Sequence, residues 1–232
     1  MGRKSKRLRK IADSVDRSKT YSVNDAIELL QQCPPVKFDQ SIEVSVRTGV
    51  DPRKSDQHIR GTVPLPNGTG KTMRILVITQ GEKLDEAKNA GADYAGNQEF
   101  IDKIKGGWTD FDALVVTPDM MREVGKLGKV LGPRGLMPTP KAGTVTTDIS
   151  KAVQELKAGK IEFKIDKHGV INNSVGKLSF NKEKIAENVS VYLQAILKAK
   201  PATAKGVYIR SIFLSSTMGP GIKIDLNAIE AA

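Results

Sequence analysis

The hydrophobic periodicity of this chain switches twice, and the switches divide it into three parts. Before residue 68 and after residue 159, apolar residues alternate with polar ones, which is the mark of half-buried strands. In Ser41–Thr48, Ile42, Val44 and Val46 face one way and Glu43, Ser45 and Arg47 the other. Ile59–Leu65, Ile161–Ile165 and Val207–Leu214 read as further strands, and Val170-Ile171 begins a partner strand after a turn at Gly169. Two helices accompany them. One covers Val23–Gln32, with Ser22 as its cap, Asp25 three residues on and Pro34-Pro35 after its end. The other is capped by Asn181 and carries Ile185, Val189, Tyr192, Leu193, Ile196 and Leu197 on one face.

The middle part is built differently. RILVIT (74–79) and ALVVT (113–117) are short, wholly apolar strands. They alternate with helices expected over Lys83–Asn89, Asn97–Lys105, a segment leading from Pro118 to Leu127, and Asp148–Ala158. Strands alternating with helices imply βαβ units and a parallel sheet. The two flanks imply an antiparallel sheet with helices on one side. One discontinuous domain, 1–67 with 160–232, would then carry a second domain, 68–159, as an insert. Gly68 and Gly159 stand at the two joins. They read either as a hinge or as ordinary turn residues.

Charge follows the same division. The net charge is +11, of which residues 1–67 hold +5, residues 160–232 hold +5 and residues 68–159 only +1. A basic bias of this kind concerns partners, not fold, and favours a polyanion. Arg3, Lys4, Lys6, Arg7, Arg9 and Lys10 open the chain as a basic run that turns helical towards Val15. This start lacks the apolar centre of a secretory signal, and no apolar stretch reaches the ~20 residues that cross a bilayer. Cys33 is the single cysteine, which excludes an internal disulfide and suits a reducing cytosol. With two histidines, His58 and His168, and one cysteine, no metal site is expected.

Two segments invite a phosphate-binding reading. Gly125–Gly143, GKLGKVLGPRGLMPTPKAG, combines five glycines and three prolines with Lys126, Lys129, Arg134 and Lys141 and has no acid. Bare backbone and unopposed cations suit phosphate; a structured loop packed on its own domain fits equally. Asn67-Gly68-Thr69-Gly70-Lys71-Thr72 resembles a phosphate loop less well. Leu65 occupies the position of the required first glycine, and the following Met73–Thr79 is strand-like where a helix is needed. No Ser/His/Asp set or paired-carboxylate pattern appears, so an enzyme is not expected.

Aromatic residues make up only 5% of the chain. Of Phe38, Phe163, Phe180, Tyr208 and Phe213, most fall at expected core positions, so base stacking is not the expected main mode. Backbone, hydroxyls and cations reading RNA shape fit better. Two spots have that composition: Lys37-Phe38-Asp39-Gln40-Ser41 and Thr217-Met218-Gly219-Pro220-Gly221. Phe38 could equally be a core residue, and Thr217-Met218 an unremarkable tail.

GKLGKVLGPRGLMPTPKAGTV resembles the signature of the universal large-subunit ribosomal protein one family, the protein part of the lateral stalk. DPRKSDQHIRGTVPLPNGTGK (51–71), GADYAGNQEFIDKI (91–104) and SSTMGPGIKID near the C-terminus resemble other blocks of that family, in the same order and of bacterial type. The resemblance implies an α/β protein of two domains. One is a discontinuous α+β split βαβ domain, ferredoxin-like, and the other an inserted Rossmann-like three-layer α/β domain. It implies a cytoplasmic, ribosomal protein without catalytic activity or cofactor. The implied partners are large-subunit ribosomal RNA of the stalk, exit-site tRNA whose release is assisted, the chain's own operon mRNA, which is repressed, and other components of the large subunit. A free-standing RNA-binding regulator is the alternative. Carried onto this sequence, the family's RNA-binding positions are Lys37, Phe38, Asp166, Lys167, Thr217, Met218 and Gly219, to which Ser41, Lys164 and Ser211 are added.

Overall fold

A computed structural model describes residues 6–81 and 83–226. Arg3 and Lys4 of the basic run lie outside the described residues. In chain order the elements are α1 (Lys6–Ser14), α2 (Val23–Gln32), β1 (Ser41–Thr48), β2 (Arg60–Pro64), β3 (Ile75–Ile78), α3 (Lys83–Asn89), β4 (Tyr94–Gly96), α4 (Gln98–Lys105) and β5 (Ala113–Val116). Then follow α5 (Met121–Gly125), α6 (Gly128–Leu131), α7 (Ile149–Lys157), β6 (Lys160–Lys164), β7 (Val170–Lys177), α8 (Lys182–Lys198), β8 (Ile209–Ser216) and β9 (Ile222–Ile224). The fold is mixed α/β. It divides into two compact units: residues up to Gly70 with those from Ile161 onward, and Lys71–Lys160.

The first unit is built on a four-stranded sheet of order β7-β1-β8-β9. All three pairings are antiparallel, so β7 and β8 run the same way with β1 between them and α8 connecting them. Strict alternation gives β1 two unlike faces. Ile42, Val44 and Val46 are fully buried while Glu43 and Arg47 are exposed. The buried face joins Ile171, Val175, Ile212, Leu214, Ile222 and Ile224 to Ala26, Ile27 and Leu30 of α2 and Ile185, Val189, Tyr192, Leu193 and Ile196 of α8. Ser22 caps α2 by accepting from the Asp25 N–H at 3.2 Å. Within this core the Asn188 amide donates to the carbonyls of Val175 (2.8 Å) and Gly68 (2.9 Å). A smaller two-stranded sheet joins β2 and β6.

The second unit has a three-stranded parallel sheet of order β4-β3-β5. Every residue of β3 and β5 is buried, as expected of a parallel sheet covered on both sides. On one side Leu76, Ile78, Leu114 and Val116 meet Ile101 and Ile104 of α4 and Val124, Leu127 and Leu131 of the glycine-rich stretch. On the other, Ile75, Val77, Ala113 and Val115 meet Ala87 of α3 and Ile149, Val153 and Leu156 of α7. Asp148 caps α7 by accepting from the Lys151 N–H at 3.1 Å.

Several expectations need correction. Val170-Ile171 does begin a strand, but β7 pairs with β1, while β6 pairs with β2. The Asp166–Gly169 turn closes locally, and its two arms then enter different sheets. β8 starts at Ile209, not Val207, and runs through Ser216. Ser215 and Ser216, beyond the strand end expected at Leu214, pair with Glu43 and Ile42. Asn181 sits at the N-cap of α8, but its side chain makes no capping bond. The Pro118–Leu127 segment becomes a 3-10 turn and the short helix α5, with α6 following. The phosphate-loop decoy is excluded by geometry, since Lys71 Nζ donates to Asp112 at 2.9 Å and the next element is a strand.

Candidate nucleic-acid interface

The helices cover one face of the four-stranded sheet, and the opposite face presents polar side chains in register. From β7 come Asn172, Ser174 and Lys177; from β1, Ser41, Glu43, Ser45 and Arg47; from β8, Ser211, Phe213 and Ser215; from β9, Lys223. Alternation puts these residues on the same side, because their in-between neighbours fill the core. Hydroxyls predominate, and Glu43 is the one acid against the cations Lys177, Arg47 and Lys223. From Ser41 to Arg47 the face is about 20 Å long at ~3.3 Å per residue.

One end of this face brings together most of the candidate residues. Ser41 and Thr217 exchange a tight set of bonds: Ser41 N–H donates to Thr217 Oγ1 at 3.0 Å, and Thr217 N–H donates to the Ser41 carbonyl at 3.0 Å. Lys177 Nζ donates to Ser41 Oγ at 3.0 Å. Buried Gln40 ties the turn down, its Oε1 accepting from the Met218 N–H at 3.0 Å while its carbonyl accepts from Leu178 N–H. At Gly219 an added side chain would meet Ser216 Oγ, which would have to turn aside. Around this frame Lys37 is exposed, and Phe38 and Met218 are 53% and 49% exposed. With its ring this open, the core reading of Phe38 fails.

The other end gathers fewer of them. Ser211 lies opposite Arg47. Beyond Val170, Asp166 Oδ1 accepts from the His168 and Val170 N–H groups, each at 2.8 Å, and so shapes the turn that presents Lys167. Lys164 is exposed at the end of β6, in the two-stranded sheet, and does not join the open face. The candidates thus form a cluster at Ser41/Thr217 and a second, sparser group at Ser211 and the Asp166–Lys167 turn. Gly68 and Gly159 both adopt left-handed backbone, with φ of 63° and 101°.

Three contributors were not among the candidate binding residues. Gln40 anchors the Met218 turn from a buried position that a glutamine seldom holds. Arg7 donates from Nη2 to the Met218 carbonyl at 2.8 Å and from Nε to the Pro34 carbonyl at 3.3 Å, joining the chain ahead of Lys37 to the Thr217–Gly219 turn. Phe213, counted with the core aromatics, is 38% exposed on the open face. Only the last had a signal: it stands between buried Ile212 and Leu214, so alternation turns it outward.

No cluster of His, Cys, Asp or Glu that could hold a metal ion occurs among the described residues. No described helix is long and apolar enough to cross a membrane. Burial raises the Cys33 thiol above its usual range, partly offset by Arg7, and nothing there points to a nucleophile.

The model of the ribosomal protein L1p/L10e family matches residues 29–220. The chain belongs to that family. It is 68% identical over 232 residues to a protein of Protochlamydia amoebophila called large ribosomal subunit protein uL1, covering all of this chain and 98% of that one. Proteins of the same name from Chlamydia caviae and Chlamydia trachomatis are each 59% identical and covered over their full length. Membership of the L1p/L10e family makes this a bacterial-type ribosomal protein rather than an enzyme.

Proposed function

We propose that the chain is a structural constituent of the large ribosomal subunit in the cytoplasm and holds stalk ribosomal RNA on the open face of its four-stranded sheet. The observation that carries this reading is the Ser41/Thr217 cluster. Hydroxyls and bare backbone are fixed there by a closed set of hydrogen bonds, with Lys37, Lys177, Phe38 and Met218 around them. Backbone and ribose are read by such groups, and lysines neutralise phosphates. Lys167 and Ser211 extend the contact along the face, Lys164 adds a cation from the separate two-stranded sheet, and Asp166 holds Lys167 in place.

The finer architecture belongs to the same proposal. The first unit is a discontinuous split βαβ domain, 1–67 with 160–232, and the second a Rossmann-like insert, 68–159. Gly68 and Gly159 serve as the hinge that lets the stalk move while deacylated tRNA leaves the exit site. One RNA surface also serves the chain's own operon messenger, whose translation it represses.

Titration of a stalk ribosomal RNA fragment with the full chain tests this. Thr217→Ala and Met218→Ala should weaken binding without altering its salt dependence. Lys37→Gln should lower the slope of log affinity against log salt by roughly 0.7–0.9. The operon messenger should compete for the same site. Wild-type affinity in all three variants would remove the sheet face from the interface.

A further inference from the structure

Phe213 stands beside a recess that the RNA contacts discussed so far leave unused. Its direct cross-strand neighbour is Lys223. Beyond β9, Tyr21 runs alongside Ile224 and donates its N–H to the Lys223 carbonyl at 2.9 Å. The chain leaving α1 forms the far wall. The recess holds about 300 Å³ and is lined by Asp16, Arg17, Tyr21, Phe213, Gly221 and Lys223. Such a volume is at the lower limit of small-ligand sites, of the order of one nucleotide.

The lining offers two aromatic rings, Phe213 and Tyr21, and two cations, Arg17 and Lys223. Asp16 offsets them only in part. Its carboxylate accepts from the Ser18 N–H at 3.0 Å and hydroxyl at 2.6 Å and lies 3.5 Å from Lys19. The Phe213 ring is continuous with the hydroxyl-rich face, since Phe213 pairs with Ser45 and sits between Ser211 and Ser215. An accessible ring beside cations suits an unpaired base with its phosphate, because a base inside a duplex keeps its faces stacked. We propose that this recess takes one unpaired nucleotide of the bound RNA, its base against Phe213 and its phosphate between Arg17 and Lys223. The inference rests on the reading of the open face as the RNA surface.

The test uses the full chain and the stalk ribosomal RNA fragment. Phe213→Ala and Phe213→Leu should each weaken binding between roughly 5- and 150-fold, the range for loss of one stacked base. The salt slope should stay unchanged, and Phe213→Trp should restore affinity. Arg17→Gln should instead lower the slope by roughly 0.7–0.9. Wild-type affinity in both Phe213→Ala and Phe213→Leu, with folding intact by circular dichroism, overturns the proposal. If Thr217→Ala still weakens binding in that case, the open face remains the RNA surface and only the recess is wrong. Millimolar adenosine or uridine monophosphate should not displace the fragment. Displacement through Phe213 would assign the recess to a free nucleotide and overturn its assignment to bound RNA.

Discussion

The two main sheets of this chain differ in how many of their faces are covered. The parallel β4-β3-β5 sheet is packed on both sides, and all of β3 and β5 is buried. The antiparallel β7-β1-β8-β9 sheet is packed on one side only and shows hydroxyls, cations and a phenylalanine on the other. A sheet covered twice has no face left for a partner, whereas one covered once must match its open side to water or to a ligand. The net charge runs in parallel, with +10 of the +11 in the flanks that build the half-covered sheet. The cationic glycine-rich segment belongs to the unit whose sheet is covered twice. Gly125–Gly143 sends Leu127 and Leu131 into the second unit's core, and Lys126 pairs with Glu123 at 2.8 Å.

Matched substitutions break or sharpen this contrast. The largest effect is expected for Val77→Glu, at a fully buried position of β3. An unpaired buried carboxylate should cost more than about 4 kcal/mol, seen as loss of the second unit's transition in denaturant unfolding. Ser45→Glu, on the open face of β1, should change stability by less than about 0.5 kcal/mol. Its RNA affinity should nevertheless fall about tenfold or more, because a carboxylate would face phosphates. Equal stability losses at the two positions would show that the open face is not open.

A smaller effect is expected at the cluster itself. Thr217→Val keeps the shape but removes the oxygen that accepts from Ser41 N–H. The cost should be about 1 kcal/mol in thermal unfolding. Lys37→Val, which touches none of this hydrogen-bond frame, should leave stability unchanged.

A separate effect concerns acid. Asp112 is held down to about 2, first by the Lys71 ammonium hydrogen-bonded to it and then by the N–H groups of Arg74, against some opposition from burial. A depressed carboxylate stabilises the fold at pH above its unfolded value of about 3.9, and that contribution is lost as pH falls towards 2. Asp112→Asn should therefore flatten stability between about pH 4 and 2, measured by urea midpoints, and leave RNA binding unaltered. An unchanged acid limb would remove this pair from the second unit's stability.

Much of this contrast is legible in the residues, but not its details. β1 is readable because one buried face imposes alternation, and β3 and β5 because two buried faces impose apolar runs. β4 and β9 have three residues each, too few for a period to show. Strand partners are not local. Ser41 meets Thr217 across 176 residues and Lys177 across 136, and no local pattern records either contact. For the same reason Lys37 and Lys177 cannot be told from Lys129 and Lys141 by composition; only the sheet brings Lys177 to Ser41. The outward turn of Phe213 was available from alternation and was obscured by counting aromatics as core.

The most direct measurement compares two double charge reversals in the full chain, Lys37→Glu with Lys177→Glu, and Lys129→Glu with Lys141→Glu, by titrating the stalk ribosomal RNA fragment at several salt concentrations. Both pairs change net charge equally. The first should lose at least a hundredfold in affinity and flatten the salt dependence, while the second should stay within a few-fold of wild type. The reverse order would contradict an RNA surface on the half-covered sheet and return it to the glycine-rich segment.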